Sequence, residues 1–304
     1  MQNKVEFFKE KSDVAVDIVM ATYNGEKFIA QQIESILAQD HDNFTIYISD
    51  DGSTDQTVEI IKSFSEYGSK IKIVNTERVG GVMKNFEKAL TYSKADYIML
   101  SDQDDVWYKN KIQTSLDCIL KEENCASKKV PLMVYTDLEL VDENLSLIDE
   151  SFYHASGLNP YRNLIIDNLL WMNSVWGCTI LLNRAALSTC LPFKYPLMMH
   201  DHWLAMNTLK NGKLVYIDKP LIKYRQHSSN VLGGVGYQQS FIKRLFDVKL
   251  YKNIISKAKT VSKMHQTNTT AKKIIFSKII IRSIKNCETK KYPLIFLFFY
   301  LILG

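Results

Sequence analysis

Three carboxylates, Asp102, Asp104 and Asp105, follow directly on an apolar run of strand length in the segment YIMLSDQDDVW at 97–107. Carboxylates packed this closely repel one another at neutral pH. A divalent cation such as Mg2+ or Mn2+ is their usual neutraliser, and it keeps coordination positions open for substrate phosphates. The implied substrate is a nucleotide. An acidic loop that is merely solvated at a strand end is the competing reading, and a second motif upstream tells against it.

The elements that must position these acids repeat along the first hundred residues. VDIVMATYNG at 16–25 reads as a buried strand ending in a turn, and 26–39 carries Ile29, Ile33, Ile36 and Leu37 at helical spacing. FTIYIS at 44–49 alternates as a strand, DDGSTD at 50–55 forms a tight turn, and 56–64 reads as an amphipathic helix capped by Ser53 or Thr54. A strand at 70–74, a helix over 81–92 and a strand at 97–100 continue the alternation. Strands regularly followed by helices imply a largely parallel sheet with ligands bound beyond its carboxyl ends. The polar clusters at 22–24, 50–55 and 102–105 all fall at such ends.

The ATYNG turn after the first strand, the DDGSTD turn after the second and the SDQDDVW segment after a later one together resemble glycosyltransferase family 2. This is a large inverting family of GT-A fold. Within it the chain is most similar to the rhamnosyltransferase-like branch that builds bacterial surface polysaccharides, over about residues 16 to 230. The resemblance implies an α/β architecture, a Rossmann-like, mostly parallel sheet flanked by helices. It also implies a sugar-nucleotide donor, a divalent metal and inversion at the anomeric carbon. The branch points to dTDP-L-rhamnose as donor, followed by UDP-hexoses. The Gln-x-x-Arg-Trp signature of processive synthases is absent, which argues for addition of a single residue.

Each motif then acquires an expected role. Asp50 and Asp51 stand where the family's first acidic pair receives base and ribose, and a carboxylate there accepts hydrogen bonds from a pyrimidine N–H and sugar hydroxyls; helix capping is the alternative. Thr22, Tyr23 and Asn24 are expected to line the same pocket. Asp102 and Asp104 form an Asp-x-Asp pair, Asp104 being the surest metal ligand, while Asp105 leaves open which carboxylates touch metal and which hold a donor hydroxyl. Lys84 or Arg78, flanking a glycine-containing loop before a helix start, is placed to meet the diphosphate. Inverting transfer needs a general base for the acceptor hydroxyl. Asp201 in MMHDHWLAM at 198–206, set between two histidines and before Trp203, matches the position of the family's catalytic acid. Desolvation beside Trp203 would raise its pKa and a charged histidine would lower it. NSVWGCTILLNR at 173–184 resembles the strand facing the acceptor, with Trp176 and Gly177 near the sugar. YRQHSSN at 224–230 resembles a closing loop, with Arg225 and His227 contacting the diphosphate or completing the metal shell.

Composition fits one folded domain with an appendage. At 304 residues, 46% hydrophobic and 23% charged, the chain can bury a large core. A GT-A domain is expected over 1–240, with a nucleotide-binding half at about 14–110 and an acceptor half at about 111–240. A basic helical C-terminal extension is expected over 241–304. From Lys243 onward fourteen Lys and Arg stand against Asp247 and Glu288, a net +12 that leaves the preceding 242 residues at −7 within the overall +5. The chain ends in the apolar run at 292–304, too short to span a bilayer comfortably. With Lys243-Arg244 and Lys290-Lys291 before it, the run suggests an interfacial anchor on an anionic inner leaflet. An apolar end favours lipid over nucleic acid as the partner of the basic tail; a buried C-terminal helix is the alternative. Family and tail together imply a lipid-diphosphate-linked saccharide as acceptor.

Residues 1–12 are polar and charged and read as no signal peptide, so the enzyme is expected in the cytoplasm, peripheral at the inner face of the membrane. Cys118, Cys125, Cys178, Cys190 and Cys287 show no Cys-x-x-Cys spacing, and reduced thiols are expected. Rival functions fit less well. A sugar-phosphate nucleotidyltransferase would need a basic Gly-rich loop where TYNGEK stands at 22–27. An aspartyl phosphatase would need Asp-x-Asp-Gly-Thr, which DDGST at 50–54 misses by register. A non-catalytic membrane-associated scaffold would require a degenerate pocket, against which the intact acidic clusters argue.

Overall fold

The computed structural model describes residues 14–125, 130–194, 199–227, 248–264, 270–284 and 291–303. Met198, Ser228, Ser229, Asn230, Lys243, Arg244, Asp247, Cys287, Glu288 and Lys290, singled out in the sequence, lie outside the described residues, as do the first thirteen.

The alternating apolar periods of the first hundred residues form the elements they suggest. Strand β1 (Val16–Thr22) is followed by helix α1 (Ile29–Leu37), β2 (Phe44–Asp50), α2 (Thr57–Ser63), β3 (Ile71–Asn75), α3 (Val82–Leu90) and β4 (Tyr97–Ser101). Ile18, Val19 and Met20 of β1 and Ile98, Met99 and Leu100 of β4 are fully buried, as strands covered on both faces require. Pairing is parallel between β1 and β2, β1 and β4, and β2 and β3. The spatial order β3-β2-β1-β4 therefore reverses direction beside β1. At such a switch point the carboxyl ends of the strands leave room for a ligand crevice.

The cap expected on α2 from Ser53 or Thr54 does not form. Ser53 instead donates its hydroxyl to Asp50 Oδ2 at 2.6 Å, and Asp55 Oδ1 accepts from the Thr57 amide at 3.0 Å. A buried carboxylate at the end of β2 competes for the hydroxyl and draws the turn inward.

The second half continues the same sheet. Strand β5 (Val106–Trp107) and helix α4 (Lys111–Cys125) precede β6 (Leu132–Val141), β7 (Leu147–Asp149), α5 (Phe152–Ser156), α6 (Ile166–Leu169), β8 (Leu181–Asn183), α7 (Arg184–Cys190), α8 (His200–Asn211) and β9 (Lys213–Arg225). The full order is β3-β2-β1-β4-β8-β6-β9-β5, with β7 on β6. Strand β8 pairs antiparallel with both β4 and β6, while β9 runs parallel to β6. The strand expected over 173–184 shrinks to Leu181–Asn183. Gly177–Thr179 turns as a 3-10 helix, its Thr179 amide and hydroxyl both donating to the Trp176 carbonyl.

Three helices close the chain, α9 (Val248–Met264), α10 (Thr270–Ile284) and α11 (Lys291–Leu303). They share a second apolar core in which Ile254, Ala258, Val261, Phe276, Ile280, Phe296 and Tyr300 surround Trp171, which follows α6. No helix among the described residues is long and apolar enough to cross a membrane.

Candidate active site

A cleft of about 680 Å3 opens at the carboxyl ends of β1 and β4. Its wall carries Thr22, Tyr23, Asn24, Asp51, Arg78, Asp102, Asp104, Trp176, Gly177, Asp201 and His227. The fold thus gathers residues that are far apart in sequence. It also turns some of the expected ones away.

Asp50 and Asp51 end up on opposite sides, because successive residues leaving a strand point to opposite faces. Asp50 is fully buried and does not line the cleft. Its carboxylate accepts from Thr22 Oγ1 at 2.7 Å, from the Ser53 amide at 2.7 Å and from the Ser53 hydroxyl, so its work is to tie β1 to the second turn. Asp51 faces the cleft and accepts from the amides of Val79, Gly80 and Gly81 at 2.6, 2.8 and 2.7 Å. Burial opposes its ionisation, yet these amides and the Arg78 charge hold its carboxyl below the ordinary value. Gly80 and Gly81 take φ of 93° and 103°, a left-handed backbone that aims three consecutive amides at one carboxylate. Arg78 lines the cleft from this loop, whereas Lys84 stands exposed outside it.

The turn after β1 is clamped to the acidic loop. Gln103 Oε1 accepts from the Tyr23 amide at 2.8 Å and its Nε2 donates to the Tyr23 carbonyl at 3.1 Å. A side chain at Gly25 would meet this amide at 2.5 Å and would have to displace the Gln103 clamp. Gln103, in the centre of the DQDD motif, had no role in the sequence reading; its place between two acids was the available signal.

The acidic loop divides similarly. Asp102 and Asp104 line the cleft and Asp105 lies buried behind them. Burial, reinforced by the charges of Asp104 and Asp201, pushes the Asp102 carboxyl up, and burial with the charges of Asp104 and Asp102 pushes Asp105 well above its usual range. His227 Nε2 lies 2.9 Å from Asp104 Oδ2, with its ring against Phe28 at 4.9 Å. Asp105 Oδ2 is buried without a hydrogen-bond partner, and Asp102, Asp105 and Cys178 bring ligand atoms within 4.8 Å of one another. The carboxylate oxygens suit a hard cation, while the Cys178 thiol, kept protonated by burial and by the neighbouring acids, does not. These residues fit a divalent metal of the Mg2+ or Mn2+ type.

Arg225 does not reach the cleft wall. Its guanidinium lies under the loop, donating to the carbonyls of Asp104 and Glu143 and to Gln31 Oε1, while its own amide donates to Asp105 Oδ1 at 3.2 Å. It positions the acids from behind, a contact spanning 120 residues that no local pattern announces. Lys111 is likewise buried, its ammonium 3.9 Å from the centre of the Trp107 ring and its pKa lowered by burial to about 7.

Across the cleft, Asp201 sits in the first turn of α8. Burial holds its carboxyl up to about 7 against the His202 amide, the Lys257 charge and the Gly177 amide. Asn173 Nδ2 approaches its Oδ1 at 3.3 Å. Of the neighbouring histidines, His200 supplies no positive charge. Burial lowers His200 to about 3, its ring stacks on Phe86 at 4.1 Å, and His202 Nε2 is engaged by the Leu169 carbonyl. Trp203 lies outside the cleft lining, its indole N–H donated to the Cys190 carbonyl at 2.7 Å, so Trp176 and not Trp203 is the indole of this wall. Tyr224, also unassigned from sequence, completes the lining.

The description "Glycosyl transferase family 2" belongs to a family model that matches residues 17–150. The dTDP-rhamnosyl transferase RfbG of Shigella flexneri is 32% identical over 94% of this chain and 99% of its own length. The UDP-Glc:alpha-D-GlcNAc-diphosphoundecaprenol beta-1,3-glucosyltransferase WfgD of Escherichia coli is 29% identical over 72% of this chain and 80% of its own. Among solved structures, S. aureus TarS in complex with UDP-GlcNAc superposes with a TM-score of 0.57 at 17% identity, covering 90% of this chain and 73% of that one. The mannosyltransferase PcManGT of Pyrobaculum calidifontis, in complex with GDP-Man and Mn2+, gives 0.52 at 14%, covering 96% and 73%. At these identities the structural likeness establishes the GT-A fold alone.

Proposed function

The chain belongs to glycosyltransferase family 2, and from that premise we propose that it moves L-rhamnose or a related hexose from a dTDP- or UDP-linked donor to a lipid-diphosphate-linked saccharide. The reaction class follows from the family: the protein is an inverting glycosyltransferase of polysaccharide synthesis, which displaces the nucleotidyltransferase and scaffold readings. The donor is argued from the rhamnosyl transferase relative and the acceptor from the diphosphoundecaprenol-directed one. One observation carries the assignment of roles: the acids of β4 and the buried carboxylate of α8 line a single cleft at the sheet's switch point.

In this reading Thr22, Tyr23, Asn24 and Asp51 receive the nucleoside, with the exposed Tyr23 ring available for stacking on the base. Asp50 shapes that turn from within. Arg78 faces the diphosphate. Asp102, Asp104 and Asp105, with His227 at Asp104, would hold a divalent cation, which when bound would supply neutralisation of the charge on the leaving diphosphate. Asp201 accepts the proton of the acceptor hydroxyl as its oxygen bonds to the anomeric carbon and the bond to the diphosphate breaks, which inverts that carbon. Trp176 presents an apolar ring to a sugar face beside Asp201.

The extension from residue 241 serves as a membrane contact in the same proposal. On α11, Leu294, Phe298, Leu301 and Ile302 are 47–58% exposed, and on α10 Ile274, Ile275 and Ile281 are exposed among Lys272, Lys278 and Arg282. Apolar side chains interleaved with cations suit the surface of an anionic leaflet and place the enzyme at lipid-linked acceptors.

Turnover of a panel of dTDP-, UDP- and GDP-sugars with a lipid-linked acceptor tests the reading. Nucleoside diphosphate release should appear with dTDP-L-rhamnose, vanish in EDTA and return with Mn2+, the product carrying the inverted anomer by NMR. Turnover insensitive to EDTA would remove the metal, and a product of retained configuration would remove the mechanism.

A further inference from the structure

The turn after β1 is suspended between two loops by its own backbone amides. Asn24 donates its amide to Ser53 Oγ at 2.8 Å, Gly25 to Thr57 Oγ1 at 2.7 Å and Glu26 to Asp55 Oδ2 at 3.1 Å. These bonds tie the turn to the segment between β2 and α2. The Tyr23 amide goes the other way, to Gln103 Oε1 at 2.8 Å, and Gln103 Nε2 returns a bond to the Tyr23 carbonyl at 3.1 Å. One side-chain amide thus pairs with a peptide as a neighbouring strand would. Among the described residues, the hydrogen bonds that join this turn to the acidic loop are both made by Gln103. The turn needs holding, because Asn24 takes the left-handed φ of 46°, which a residue with a side chain adopts at a cost.

Gln103 is equally bound to the acids. It stands between Asp102 and Asp104 in sequence, and rigid peptide units allow its backbone to move only with theirs. Tyr23, Gln103, Asp102 and Asp104 all line the cleft. With Asp105, carboxylates fill three of four successive positions, so without a counter-charge their repulsion spreads the loop. A divalent cation would draw the same carboxylates to fixed places. Where the loop rests decides whether the Gln103 amide meets Tyr23.

We propose that Gln103 is a positioning residue that couples the two parts of the donor site: a cation at the acidic loop sets Gln103, and Gln103 sets the Tyr23 turn for the nucleoside. The inference rests on the reading of the acids as the cation site and of the turn as the nucleoside site. Such coupling is reciprocal, so a nucleoside on the turn strengthens cation binding by the same factor. It is also separate from any contact between cation and diphosphate, because it acts on a nucleoside that carries no phosphate.

The test uses the full chain with thymidine and uridine as probes, titrated calorimetrically in Mg2+ and in EDTA, and Mg2+ titrated with and without the nucleoside. In the wild type Mg2+ should strengthen binding of the preferred nucleoside by about fivefold or more, and the nucleoside should strengthen Mg2+ binding equally. In Gln103→Ala each ligand should still bind alone while the mutual enhancement vanishes, an outcome that a merely structural side chain would not produce. Gln103→Met keeps the length of the side chain and removes both hydrogen bonds, so it decides the matter where Gln103→Ala fails to fold. Wild-type enhancement in Gln103→Met, or two ligands that bind the wild type independently, overturns the proposal alone. A wild type that binds neither nucleoside, or no Mg2+, removes the reading of the site and the proposal with it.

Discussion

Asp104 and Asp201 divide the work of the cleft, and substitutions at the two should separate metal dependence from proton transfer. Asp104 is partly exposed, 17% by side chain, and meets His227. Asp104→Asn should abolish metal-dependent transfer while leaving the melting temperature nearly unchanged, since a cleft carboxylate contributes little packing. Retained, metal-responsive turnover would count against the assignment. Asp201→Asn should bind donor as the wild type does and lose transfer by about 10²–10⁴, the usual contribution of a positioned base. Because burial holds Asp201 up to about 7, the carboxylate is protonated and inactive below that value. The kcat/KM of the wild type should therefore rise as pH rises through about 7, and an acid limb near 4 would show the group to be solvated during catalysis.

Elements here are held by backbone amides converging on single side chains, and the loop before α3 is the clearest case. Asp51 accepts from three successive amides of that loop, two belonging to glycines with positive φ. Asp51→Ala leaves these amides without their acceptor, at a cost of about 1–3 kcal/mol for each that stays buried and unpaired. Both the melting temperature and the donor affinity should fall, Arg78 being carried on the same loop. A donor KM equal to wild type would show that the loop does not shape the pocket. The expectation of a cap from Ser53 or Thr54 failed for a related reason: Asp50, buried at the strand end, took the Ser53 hydroxyl.

For the whole molecule, the final helix has two faces with different work. Phe296 and Tyr300 are fully buried against Trp171 and Phe276, so deleting 292–304 would uncover a core, and removal of even one such aromatic costs about 3–5 kcal/mol. Truncation therefore cannot separate anchoring from folding. Phe298→Ser combined with Leu301→Ser alters only the exposed face. This pair should weaken co-sedimentation with anionic vesicles at an unchanged melting temperature, and wild-type co-sedimentation would remove these residues from the membrane contact. High salt should release the wild type only in part, because the apolar contribution is not screened.

The alternation of strand and helix and the three polar turns at strand ends were legible in the sequence, because each is encoded within a few residues by apolar period and turn chemistry, whereas the candidate base was drawn from the resemblance. Side-chain direction was not. Asp50 and Asp51 are neighbours of one type, and only the surroundings of the sheet decide that the first is buried and the second faces the cleft. Arg225 stood 120 residues from the acids it supports, and its guanidinium was expected at the diphosphate until the carbonyls of Asp104 and Glu143 were found to hold it. The C-terminal run was read as a detachable anchor because composition records that a segment is apolar and basic, not which of its faces finds a partner. Trp171, surrounded by residues from 254 to 300, decided that. Such pairings depend on surfaces meeting in three dimensions, and the chain's local periodicity carries no record of them.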